Sequence, residues 1–82
     1  METTLFDLKS GQEAVIKNFK GGAEFQKKLR SLNLRAGKTI RKVTAEPFHG
    51  PVVIEIDNTE VAIGMNMAKK IVVEASESGS DT

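Results

Sequence analysis

Apolar residues in this chain recur with a period of two in several short runs, and with the 3.6-residue period of a helix in one run only. That pattern commits most of the sequence to short strands around a single core. The clearest run is 52–57, where Val52, Ile54 and Ile56 share one face and Val53, Glu55 and Asp57 the other. Residues 13–19 repeat the alternation, with Ala14 and Ile16 opposite Glu13 and Lys17. A turn at Asn58 and Thr59 leads into 60–64, where Val61 and Ile63 point inward, and residues 70–75 form a last strand through Ile71 and Val73. Between 38 and 45 the parity changes, because Ile40 is even whereas Val43 and Ala45 are odd. This predicts a β-bulge near Arg41 and Lys42 that curls the sheet.

The helical run is 23–32. Phe25, Leu29 and Leu32 fall at i, i+4 and i+7, and Glu24, Gln26, Lys27, Lys28, Arg30 and Ser31 fill the remaining positions. Gly22 is an acceptable N-cap, Glu24 lies in the electropositive first turn, and Asn33 accepts the left-handed conformation that ends a helix. Arg35, Ala36, Gly37 and Lys38 suit a type II turn with the positive φ at Gly37. Leu5 and Leu8 before Gly11 read as a short helical turn or latch on the barrel, and residues 65–69 as one more helical turn. Pro47, Gly50 and Pro51 mark the loop between two strands. The expected core is Ala14, Ile16, Phe25, Leu29, Leu32, Ile40, Val43, Val52, Ile54, Ile56, Val61, Ile63, Ile71 and Val73.

With 82 residues there is material for one core, so residues 1–75 are expected to form one domain and residues 76–82, small, polar and acidic, a disordered tail. The expected fold is mainly β: a small, partly open SH3-like or OB-like barrel of about five strands, with one α-helix inserted after the first strand. There is no cysteine, no basic leader followed by an apolar stretch, and no apolar run near the roughly 18 residues that span a bilayer, which points to a cytoplasmic protein.

Catalysis finds little support: there is one histidine, and Gly21-Gly22 lacks the lysine and hydroxyl residue of a phosphate-binding loop. His49, with Glu46 in the same loop, falls short of the three or four ligands of a tight metal site, so neither a metal nor any other cofactor is expected. Charge is more informative. The net value is +1, yet residues 17–42 hold nine basic groups against Glu24 alone, whereas residues 43–68 hold four acids and no Lys or Arg. The whole-chain figure conceals a basic face. Lys27, Lys28, Arg30 and Arg35 suit an acidic protein, an anionic membrane surface or nucleic acid, or serve only as a solvated face, with Arg41 and Lys42 offset by Glu55 and Asp57 across the hairpin. Four phenylalanines and no Trp or Tyr make a poor stacking platform, so no nucleic acid is expected. Phe48, beside two prolines, either anchors a partner or folds over the barrel end. The candidate partner-binding residues are therefore Lys27, Lys28, Arg30 and Phe48.

From Leu5 to Val73 the chain resembles the FeoA family of ferrous-iron uptake accessory proteins. The resemblance is carried by Leu5, Leu8 and Gly11, Ile16, the glycines before a helix with Leu29, and Leu32-Asn33-Leu34 with Gly37. It continues through Ala45 and Pro47, Gly50-Pro51-Val52, Val61-Ala62-Ile63, and Ala68 with Ile71 and Val73. Asn33 and Ala36 stand where the family usually has glycine and proline, Glu46 separates Ala45 from Pro47, and Gly64 replaces a common arginine. The resemblance implies an SH3-like barrel acting beside a FeoB-like membrane iron transporter with a cytoplasmic GTP-binding domain. It also implies kinship with the C-terminal barrel of iron-dependent repressors, whose other domains this chain lacks.

Overall fold

A computed structural model describes residues 1–43 and 51–75. Its elements are β1 (Glu2–Thr4), β2 (Glu13–Phe19), α1 (Ala23–Ser31), β3 (Thr39–Lys42), β4 (Val52–Ile56), β5 (Thr59–Ile63), α2 (Met65–Ala68) and β6 (Ile71–Ala75). All strand pairs are antiparallel, in the order β1-β6-β2-β3-β4-β5. The period-two runs at 13–19 and 52–56 are strands with Ala14, Ile16, Val52, Ile54 and Ile56 buried, as their alternation requires.

The end of α1 is a Schellman motif. Asn33 takes φ 68°, its amide donates to Arg30 O at 2.9 Å, and the Leu34 amide donates to Leu29 O at 2.9 Å. The chain reversal drops Leu34 onto the core beside Leu29, and both are fully buried. Gly37 has φ 94° and Lys38 N donates to Arg35 O, the expected type II geometry.

Four expectations need correction or extension. The parity change at 38–45 does not mark a bulge within β3: Ile40 and Lys42 both face the core, and the register slip lies instead between Ile16 and Asn18 of β2, against β6. The reversal between β4 and β5 is at Asp57 and Asn58, φ 53° and 64°, one residue earlier than expected. Two successive positive φ values are the geometry that joins right-twisted strands through a two-residue loop. A sixth strand, β1, pairs with β6 ahead of the latch. Leu5 and Leu8 are themselves buried, with Asp7 N donating to Thr4 O at 3.0 Å, so the latch reading holds. Finally, Lys42 does not offset an acid across the hairpin: it points inward, and Asp57 instead accepts from Lys38 Nζ at 2.6 Å and Asn33 Nδ2 at 2.7 Å. The Arg41–Glu55 pair forms as expected, at 2.7 Å.

One core gathers most of the buried apolar residues of β2 to β6, Leu29 of α1, Ala68 of α2 and the latch leucines. Phe25, Leu32 and Val61 of the expected core are only half-buried at its margin, and Val43 is half-buried too. Leu5, Leu8, Leu34, Ala68 and Ala75 join it. Residues 76–82, expected as a tail, lie outside the described residues.

Candidate docking surfaces

Helix α1 packs Leu29 inward, which by the 3.6-residue period turns Lys27, Lys28 and Arg30 outward, and all three are exposed. Lys28 and Arg30 lie in the last turn, where the helix dipole favours cations, and Glu24 lies in the first. Lys27 and Lys28 line a shallow groove with Glu24 and Ser31, and the Ser31 hydroxyl donates to Lys28 O at 2.6 Å. Among the described residues none of Lys27, Lys28, Arg30 and Arg35 takes part in an ion pair, so their charge is presented to solvent. Phe48, the fourth candidate, lies outside the described residues, as do His49 and Glu46. The structure thus sets the three cations on one helix and does not relate them to Phe48.

Two arrangements escaped the sequence reading. In the first, the β2–β6 pairing carries Lys20 to the start of β6, where its amide donates to Lys70 O at 2.7 Å. Lys70 Nζ stands 5.4 Å from the centre of the half-buried Phe25 ring, and Lys69 Nζ stands 4.9 Å from that of Phe6. These residues are far apart in sequence, and only the ladder register could have revealed their meeting. Gly21 lies under the same ring: a Cβ there would overlap Phe25 Cδ2. Gly21→Ala is therefore expected to cost about 1–3 kcal/mol in urea denaturation, because the ring must swing off its seat.

The second is Lys42, only 5% exposed, whose ammonium donates to Leu8 O at 2.6 Å and Phe6 O at 2.8 Å. Burial pushes its pKa below the usual lysine value, and the Asp7 carboxylate works in the opposite direction. Every buried side-chain nitrogen and oxygen among the described residues has a partner. No group of three or more His, Cys, Asp or Glu among them is placed to hold a metal ion.

Residues 3–75 match the family model of the FeoA domain. The chain belongs to the FeoA family. A relative from Methanocaldococcus jannaschii that carries the name Fe(2+) transport protein A is 30% identical over 73 residues, 89% of this chain and 87% of its own. The crystal structure of an iron uptake regulatory protein, FeoA, superposes with a TM-score of 0.84 at 28% identity, covering 93% of this chain and 99% of that one. A manganese-dependent transcriptional repressor superposes with a TM-score of 0.83 at 17% identity over 92% of this chain and 42% of the repressor, a likeness of fold alone. This FeoA-family chain accordingly has the small, mainly β, SH3-like architecture expected of it.

Proposed function

We propose that the chain is a non-enzymatic accessory of ferrous-iron uptake, and that it acts by docking on the cytoplasmic part of a FeoB-like, GTP-dependent iron transporter. Membership of the FeoA family over residues 3–75 carries the iron-transport part of this reading. The unpaired cations on the outer face of α1 support docking as the mode of action, with Lys27, Lys28 and Arg30 as one contact region and the loop around Phe48 as the other. No described helix is long and apolar enough to cross a membrane.

Exposed charges act mainly on encounter, whereas a buried aromatic anchor acts mainly on the lifetime of a complex. Replacing Lys27, Lys28 and Arg30 together by Glu is therefore expected to slow association with the transporter's cytoplasmic part about tenfold or more at low salt and to flatten its salt dependence. Phe48→Ala is expected to speed dissociation instead. Stopped-flow or surface-binding kinetics of both variants against wild type makes the measurement. Unchanged kinetics in both variants would place the interface elsewhere.

A further inference from the structure

We propose that the rim formed by Lys20, Lys69 and Lys70 over Phe6 and Phe25 docks on an anionic lipid bilayer, independently of the outer face of α1. Three observations carry this. The ladder between β2 and β6 brings Lys20, from the end of β2, beside the adjacent pair Lys69 and Lys70 at the start of β6, and all three are exposed. None is consumed by an ion pair among the described residues. Of the acids nearest to them in sequence, Glu74 is paired with the ammonium of Met1, and Glu24 lines the α1 groove with Lys27 and Lys28. Two of the ammonium groups rest over half-buried phenylalanine rings, so apolar surface lies directly beneath the charge.

The chemistry of this arrangement selects the partner. Specific protein interfaces favour aromatic residues and arginine at their centres and are depleted in lysine, whereas a diffuse anionic surface is met by flexible point charges set on an apolar base. The rim has three lysines and no arginine. Nucleic acid is a poorer fit, because stacking of bases needs open ring faces and both rings here are overlain by the chain's own cations. With no described helix able to span a bilayer, the contact would be peripheral, at the level of the headgroups.

The test uses the whole chain and vesicles of phosphatidylcholine with or without phosphatidylglycerol, sedimented at low and at physiological salt. Binding should require the anionic lipid and weaken with salt. Replacing Lys20, Lys69 and Lys70 by Gln should weaken partitioning about a hundredfold, from roughly a fivefold contribution per lysine. A charge-matched variant with Lys9, Lys17 and Arg35 replaced by Gln should bind much more tightly than the rim variant. On the unaltered protein, anionic vesicles should slow acetylation of Lys20, Lys69 and Lys70 relative to Lys9, which keeps the proposal testable even if the rim variant folds poorly. Equal loss in the two variants, equal protection of all lysines, no preference for the anionic vesicles, or binding to an oligonucleotide but not to vesicles would each overturn the proposal.

Discussion

Truncating Leu29 to Ala is expected to remove about 2–5 kcal/mol of folding stability, most of what a domain of this size possesses. Leu29 is fully buried and is the one buried residue of α1, so its side chain is the main contact that holds the helix on the sheet. The Schellman closure raises the stakes: Leu34, also fully buried, is placed by the hydrogen bond its backbone N–H donates to Leu29 O, and the two leucines share one core. A cavity at Leu29 would strip contacts from both, and the surrounding strands have little freedom to collapse into it. Each kcal/mol lost should lower the melting temperature by about 4–8 °C. Thermal melting followed by circular dichroism makes the measurement, and a curve unchanged by Leu29→Ala would mean that the helix is not packed as described.

A comparable loss is expected at Lys42. Lys42→Ala removes a buried four-carbon stem and leaves Phe6 O and Leu8 O without their donor, for about 2–4 kcal/mol. Lys42→Met restores the stem and not the donor, and should recover part of the loss while remaining roughly 1–3 kcal/mol below wild type. In both variants, hydrogen exchange should accelerate at the amides of Leu5 and Phe6, which donate to Ile71 O and Ala68 O and tie the latch to the sheet. The pH dependence has a definite sign. Because the folded pKa lies below the ordinary value, the folded state holds fewer protons than the unfolded state between the two. The contribution of this group therefore rises with pH across that window, is complete above 10.5, and is lost as pH falls through the folded value. Wild type should show this rise and Lys42→Met should not. Equal stability of Lys42→Met and wild type, with unchanged exchange at Leu5 and Phe6, would show that the hydrogen bonds from Lys42 to Phe6 O and Leu8 O do not hold the latch.

These two sites also show where the sequence was legible. Leu29 was readable because a single period of 3.6 leaves one face for the core, and Val52, Ile54 and Ile56 were readable because a strict period of two does the same. Leu34 was readable in principle: an apolar residue just after a left-handed Asn33 is the partner a Schellman motif places on the helix. Lys42 was not. Parity alone puts residue 42 on the same face as Ile40, but a lysine at an inward position reads as a break in the pattern unless the two carbonyls waiting for it are known. The supposed bulge at Arg41 and Lys42 came from the odd parity of Val43 and Ala45, of which Val43 is half-buried just past the end of β3 and Ala45 lies outside the described residues, and the real slip in β2 left no mark in hydrophobicity. β1 was equally silent, since Glu2, Thr3 and Thr4 carry no alternation and owe their conformation to β6. Of the candidate contact residues, the helical cations were legible from composition and period, whereas the meeting of Lys20 with Lys70 depended on strand register.

The proposed docking of this FeoA-family chain on a FeoB-like transporter is tested by an equilibrium titration of the whole chain into the purified full-length transporter, with and without guanine nucleotide. The expected result is a saturable complex whose affinity falls with ionic strength and falls again when Lys27, Lys28 and Arg30 are reversed in charge. Absence of a saturable complex in every nucleotide state, with a correctly folded chain and an active transporter, would contradict it.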